Sequence, residues 1–474
     1  MARTNSYKEH QTPWQIVHQR APNVRPQIVA LPPVYLDDLF ACMPNYAPAG
    51  GHDVVPWPSR PRRLATLWLT TSLHAFCHAY LTLLTPLYLA LQKGFDLPGV
   101  AGATLLVSAQ GVAFCLGSLP VGLLADRVSR KRLLAIGLLL NGLAFAALSR
   151  ADSYWMAVAC LFAAGLAGSF YHPTALGLLV ALADGRPGKF IGVAGMGAAV
   201  GFFVGPTFGG FRAEAAGWRA PCLELGLLGA AWAVVYELVA RDAPVEGRQA
   251  AGRPRKPPRA YLRSVLWYFG LVSLVFAMRD FGATGVGTLS SLFLQKAHEY
   301  RLGPTGLFLG LMCLSSLLAN PLFGSLSDGA HRLRWLGGLL LAASLAAAAI
   351  PWMPRALVLV ALVAYGIPVM ASYAVGEAAL AESVPDEVRG TMFGGFLTVA
   401  GVIGNIAPWA MGRLSDALGT EATHVSAYGP VYAGLAALLA LSTLGVPVLN
   451  WVRTREVLQQ FERPEQERGS ASPS

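Results

Sequence analysis

From residue 64 onward, long apolar runs alternate with short polar connections. The runs fall near 64–91, 99–124, 133–149, 154–182, 190–211 and 220–240. After a polar stretch they resume near 264–294, 305–326, 335–351, 356–381, 391–412 and 428–452. A helix needs about 20 predominantly apolar residues to cross the hydrocarbon core of a bilayer, and the chain supplies such runs repeatedly. Backbone in lipid must satisfy its own hydrogen bonds, so apolar runs of this length are helices. The pattern predicts an all-α polytopic membrane protein with twelve transmembrane helices. Two six-helix halves, 64–240 and 264–452, are joined by a basic, proline-rich linker over 241–263. Residues 1–63 are polar and proline-rich without the apolar centre of a signal peptide. They read as a largely disordered cytoplasmic tail, as does the short polar tail 453–474.

Charge placement orients the runs. The segment Gly117–Arg132 passes from apolar helix into Asp126, Arg127, Arg130, Lys131 and Arg132, and apolar residues resume at once with Leu133. Cationic residues packed between spans belong on the cytoplasmic side. Twelve spans with both ends inside place this turn there, with Arg60, Arg62, Arg63, Arg186, Lys189, Arg332, Arg334, Arg389, Arg453, Arg455 and the linker. The opposite side receives Lys93, Arg150, Arg212, Arg219, Lys296, Arg301, Arg355 and Arg413. Both termini are therefore expected in the cytoplasm and the protein in the plasma (inner) membrane.

Composition narrows the function. The chain is 54% hydrophobic and 13% charged, against about 25% charged residues in soluble domains. Its net charge of +10 sits in inter-span turns, so it is a topology signal and not a nucleic-acid surface. The six cysteines are scattered singly, which indicates neither a disulfide framework nor a zinc site. There is no phosphate-binding loop for ATP-driven transport. No nucleophile–base pair or metal-ligand cluster recurs at either membrane face, so neither an enzyme, a cofactor nor a metal is expected.

A repeat runs through the spans. The second ends Gly122-Leu-Leu-Ala-Asp126, the fifth Gly210-Phe-Arg-Ala-Glu214, the eighth Gly324-Ser-Leu-Ser-Asp328 and the eleventh Gly412-Arg-Leu-Ser-Asp416. Pro120, Pro206, Pro321 and Pro408 precede them in turn. The same device at the middle span of each triplet, on alternating sides, is the product of inverted three-helix repeats nested in two halves. Glycine lets two helices approach closely, and an acid at a helix end can hold a neighbour's positive N-terminus.

The turn Gly122, Asp126, Arg127, Arg130, Lys131 resembles the loop between the second and third helices of the major facilitator superfamily, with Ser129 where that family usually has glycine. Gly324 and Asp328 are the counterparts in the second half. In the fifth span, Gly192, Gly201, Gly205, Pro206, Gly209 and Gly210 match the superfamily's glycine-proline motif, which the family associates with antiport exporters. The alternative reading of that motif is close helix packing. The fourth span lacks the family's usual arginine and reads Gly165-Leu-Ala-Gly168-Ser-Phe-Tyr171-His172-Pro173-Thr-Ala175. This is similar to the fosmidomycin-resistance branch, which exports a phosphonate drug. Pro385-Asp-Glu-Val-Arg389-Gly390-Thr resembles the turn before the eleventh helix.

Ionisable residues inside spans are expensive and mark transport pathways. His74 and His78 share one helix face at i, i+4, His172 lies in the fourth span, Arg279 and Asp280 in the seventh, and Glu377 in the tenth. These are the first helices of the four triplets, which the resemblance implies line a central cavity. Histidine titrates near neutral pH and suits a proton or an acidic substrate. Arg279 and Asp280 point about 100° apart on a helix and need not pair. On that reading Arg279 is free for an anionic substrate group and Asp280 for a proton. The resemblance implies a secondary transporter working by alternating access. The leading expectation is proton-coupled export of a small amphiphilic or anionic compound, with Asp126 and its basic neighbours as a cytoplasmic latch. Uptake symport and a non-transporting sensor are the alternatives. The expected partners are a small-molecule substrate and the lipid bilayer, and the architecture is complete as a monomer.

Overall fold

A computed structural model describes residues 59–125, 127–183, 187–242, 259–329, 331–383, 395–396 and 398–454. Among them every regular element is helical. Both tails through residue 58 and from 455, most of the linker, Asp126, and the turn from Pro385 lie outside the described residues.

The first run forms α1 (Arg60–Thr82), a 3₁₀ turn at Thr85–Leu87 and α2 (Tyr88–Gly94). It is followed by α3 (Val100–Ala125), α4 (Arg130–Leu148), α5 (Tyr154–Gly168) and α6 (Tyr171–Leu182). Next come α7 (Pro187–Ala216), α8 (Arg219–Val239) and α9 (Arg259–Lys296). The chain continues through α10 (Leu302–Leu314), α11 (Ser316–Leu326), α12 (Arg332–Ala349) and α13 (Val358–Glu382). It ends in α14 (Ala407–Leu418), α15 (Gly429–Leu441) and α16 (Gly445–Thr454).

The 154–182 and 428–452 runs are broken where proline dictates it. Proline lacks an N–H, and its ring crowds the carbonyl four residues back. For Pro173 that carbonyl belongs to Ser169, where α5 stops; for Pro447 it belongs to Thr443, between α15 and α16.

Nine of the described helical stretches are long and apolar enough to cross a membrane. The 64–91 and 264–294 runs are outside that set, and 391–412 is only partly described. The first of these carries threonines, a serine and two histidines among its apolar residues. In α1, Thr66, Thr70, Thr71 and Thr82 return their hydroxyls to the carbonyls of Arg62, Thr66, Leu67 and His78 at 2.8–3.0 Å. Each hydroxyl is thereby satisfied inside its own helix. On the outside, leucines such as Leu238, Leu318 and Leu345 stand over 70% exposed, the surface of a chain solvated by lipid.

Apolar side chains gather into one cluster drawn almost wholly from residues 67–240 and two drawn from 272–449. Between these groups, α7 packs on α10 and α3 on α14. Helix α7 is held by α1 on one side and α10 on the other. Side chains at Gly197, Gly201 and Gly209 would collide with the carbonyls of Thr71, Ala75 and Leu83 in the first run, while one at Gly210 would collide with the Leu302 carbonyl. The fifth-span glycines are thus a contact stripe of small residues spaced four apart. Gly192 and Gly195 are exceptions and meet open space.

Two of the four acid-ended spans reach across to the other group of helices. The Asp416 carboxylate accepts the N–H groups of Val100 (2.8 Å) and Ala101 (2.9 Å) at the start of α3. Glu214 accepts the Gly303 N–H at the start of α10 at 2.8 Å and pairs with Arg301 at 2.9 Å. Unpaired N–H groups and the helix dipole make each N-terminus a natural seat for a carboxylate. Around the same end, Ser291 donates to the Thr85 carbonyl (2.7 Å), Gln295 to that of Pro86 (3.1 Å) and Lys296 to the Ser415 hydroxyl (2.9 Å). This face of the bundle is bolted shut.

At the opposite face several charged groups bind within their own half. Arg130 donates to the Gly177 carbonyl (2.6 Å), and Lys131 to the carbonyl (2.6 Å) and carboxylate (3.2 Å) of Glu237. Arg332 holds Asp328 at 2.8 Å and Glu382 at 2.9 Å. Arg127 is exposed, Gly122 sits beside Pro173, and Gly324 faces open space. Asp126, the acid of the expected latch, lies outside the described residues. Arg130 and Lys131 tie α4 to α6 and α8, and the cross-half caps are at the other end.

Candidate functional site

The ionisable residues of the spans form two groups, one in each half. In the first, α1 places His74 and His78 on one face because four residues make just over one turn. His172 joins them because the Pro173 break restarts the fourth run at Tyr171, which puts His172 in the first turn of α6. One ring nitrogen from each of the three histidines lies within 4.8 Å of the others. His74 Nδ1 meets the Ala194 carbonyl at 2.7 Å, and its Nε2 is 3.1 Å from His78 Nε2. Aromatic rings enclose them. Tyr171 stacks on His74 with centroids 4.4 Å apart, Phe202 lies 4.2 Å from His78, and Phe114 meets His172 edge-on at 5.8 Å. His74 is buried, while His78 and His172 keep part of their surface accessible.

In the second group, Arg279 corrects the sequence expectation. Its side chain is only 2% exposed and its Nε donates to the carboxylate of adjacent Asp280 at 2.8 Å. Adjacent helix positions do point apart, but the three-carbon stem of arginine is long enough to curl its planar fork back. The guanidinium also lies 4.0 Å over the Tyr373 ring and 5.1 Å from that of Phe276. Its guanidinium is thus already engaged within the protein. Glu377, one turn beyond Tyr373 on α13, is within electrostatic reach of Arg279 and Asp280 and remains exposed. One cation and two carboxylates leave this group with an excess of negative charge.

The second span separates the two groups. Phe114 of α3 touches His172, and its neighbour Cys115 is within electrostatic reach of Asp280 and accepts from Asn405 at 3.5 Å. Phe114, Cys115, Asn405 and Tyr373 were missed from sequence. Nothing in an apolar run distinguishes such side chains until partner helices are in place.

Two helical halves joined by capped helix ends at one face, with ionisable side chains in their midst, define an integral membrane protein of the transporter class. The chain belongs to the Major Facilitator Superfamily, which it matches over residues 67–408. It is 28% identical over 244 residues to the multi-drug resistance efflux pump PmrA of Streptococcus pneumoniae, in strains TIGR4 and R6. That match covers 49% of this chain and 59% of the pump. Among solved structures, it resembles a bacterial homolog of the human lysosomal transporter Spinster in an inward-facing, unoccupied conformation. The TM-score is 0.67 at 17% identity, covering 85% of this chain and 99% of the other. The same homolog, inward-facing and occupied, gives 0.63 at 19% identity, covering 88% and 100%.

Proposed function

We propose that this chain is a twelve-helix secondary transporter that exports a small amphiphilic compound in exchange for protons. Its site lies between two six-helix halves built from inverted repeats. The observation that carries the reading is the accessible Glu377 carboxylate beside an Arg279–Asp280 pair that is already satisfied. A carboxylate in that setting takes up a proton or meets a cationic group, and the two uses exclude each other. Exclusion of this kind couples proton entry to substrate release. The excess negative charge favours neutral or cationic amphiphiles over the anionic compounds that a free Arg279 would have served. Export is supported by the fifth-span motif and by the efflux pump among the relatives. With the arginine-rich ends assigned to the cytoplasm of a plasma (inner) membrane, the bolted face is external.

The test uses inverted vesicles energised to an acidic interior and challenged with dyes, phosphonates and organic acids. Wild type is compared with Glu377→Gln and Asp280→Asn. A compound that dissipates the gradient with wild type but not with Glu377→Gln supports antiport coupled at that carboxylate. A compound that draws protons in the direction of its own movement overturns export in favour of uptake.

A further inference from the structure

We propose that His74, His78 and His172 bind one divalent transition-metal ion of the borderline class, such as zinc or cobalt, with a fourth position open to an anion. Imidazole nitrogen is the natural ligand of these ions, at about 2.0–2.1 Å. A tetrahedral shell at that radius spaces its nitrogens by about 3.3–3.4 Å. The His74 and His78 Nε2 atoms are already 3.1 Å apart, and all three ligand nitrogens lie within 4.8 Å. Closing the remainder requires the rings to move together by about an ångström or more. Two histidines at i, i+4 on one helix is also a spacing by which helices hold zinc.

The cluster is oriented for this task. A carbonyl only accepts, so His74 Nδ1 carries the proton toward Ala194 and Nε2 presents its lone pair inward. A metal-binding histidine is fixed by its second nitrogen in the same way. His78 must then donate from Nε2 to His74, which leaves His78 Nδ1 buried without a hydrogen-bond partner. A shift of that proton from Nε2 to Nδ1 frees the His78 Nε2 lone pair for a metal ion. A single proton shared between His74 and His78 occupies two nitrogens, whereas a metal ion uses lone pairs of all three rings. The surrounding rings of Tyr171, Phe202 and Phe114 are uncharged, so a doubly charged ion enters a weakly compensating site. An anion in the fourth position offsets that charge.

The experiment is cobalt titration of tag-free, full-length protein in detergent, with bound metal measured by equilibrium dialysis and visible absorption. The variants are His78→Gln, His172→Asn and the triple His74→Gln/His78→Gln/His172→Asn, each checked for intact thermal unfolding. Wild type is expected to bind one equivalent of cobalt with ligand-field bands of nitrogen coordination, displaced by zinc. Each single variant is expected to weaken binding at least tenfold and the triple to abolish the bands. Binding that persists in the folded triple variant assigns the metal to other histidines and overturns the proposal. So does wild type that binds well under one equivalent. Neither readout depends on transport, so the outcome stands apart from the export assay.

Discussion

At the scale of single residues, the decisive balance is between Arg279 and the two carboxylates near it. A buried ion pair repays the cost of its own desolvation only while both partners remain. Arg279→Met therefore strands Asp280, which is only 15% exposed, and such losses cost about 3–5 kcal/mol. We expect a large drop in unfolding temperature in detergent for Arg279→Met. The double variant Arg279→Met/Asp280→Asn should recover most of it, since no unpaired charge is left. If both variants unfold alike, the pair has no structural role and Arg279 returns as a substrate ligand. Glu377→Gln tests the other side of the balance. Glu377 is exposed and makes no ion pair among the described residues, so this variant should fold as well as wild type and lose proton coupling alone. Ligand binding and vesicle transport measured side by side separate these outcomes.

At the scale of elements, the fifth-span motif divides by what each glycine touches. Gly201 faces the Ala75 backbone, so Gly201→Val must push α1 from α7, at the cost of about 1–3 kcal/mol typical of overpacking. Gly192 faces open space, and Gly192→Ala should leave stability unchanged or raise it by up to about 1 kcal/mol, the helix-propensity difference. Thermal unfolding of the two variants reads this contrast directly. Equal sensitivity would mean that Gly192 has a packing partner in another conformation of the cycle. The whole motif was legible in the sequence, and so was its packing interpretation. Which glycines are obligatory was not, because that depends on which face of α7 meets α1.

For the whole molecule, the controlling feature is the pair of capped N-termini at one face. The Arg301–Glu214 ion pair contributes little, since Arg301 is 78% exposed and surface pairs are worth about 0–1 kcal/mol. The backbone caps at Val100, Ala101 and Gly303 carry more, because each satisfies N–H groups that a helix start leaves open. A lost cap costs about 0.5–2 kcal/mol. Asp416→Ala with Glu214→Ala should therefore shift the population toward opening at this face by about tenfold or more, at 1.4 kcal/mol per decade. Spin labels at the ends of α3 and α14 would show a longer distance in the double variant. An unchanged distribution would mean that apolar packing alone holds the face closed.

The sequence by itself determined the helical membrane class, because apolar runs of bilayer length admit few other structures. It also showed the repeat of acid-ended spans and the means by which those acids act, since a carboxylate and a helix N-terminus attract wherever they meet. Tertiary structure decided which termini they meet: Asp416 and Glu214 cap across the halves, whereas Asp328 is held by Arg332 four residues on. It also decided that Arg279 is consumed by Asp280, through a side-chain conformation that helix geometry alone does not fix. The three-histidine cluster belongs to tertiary structure as well. His172 is remote from His74 and His78 in the chain, and only the proline break together with the packing of α6 beside α1 brings the rings together.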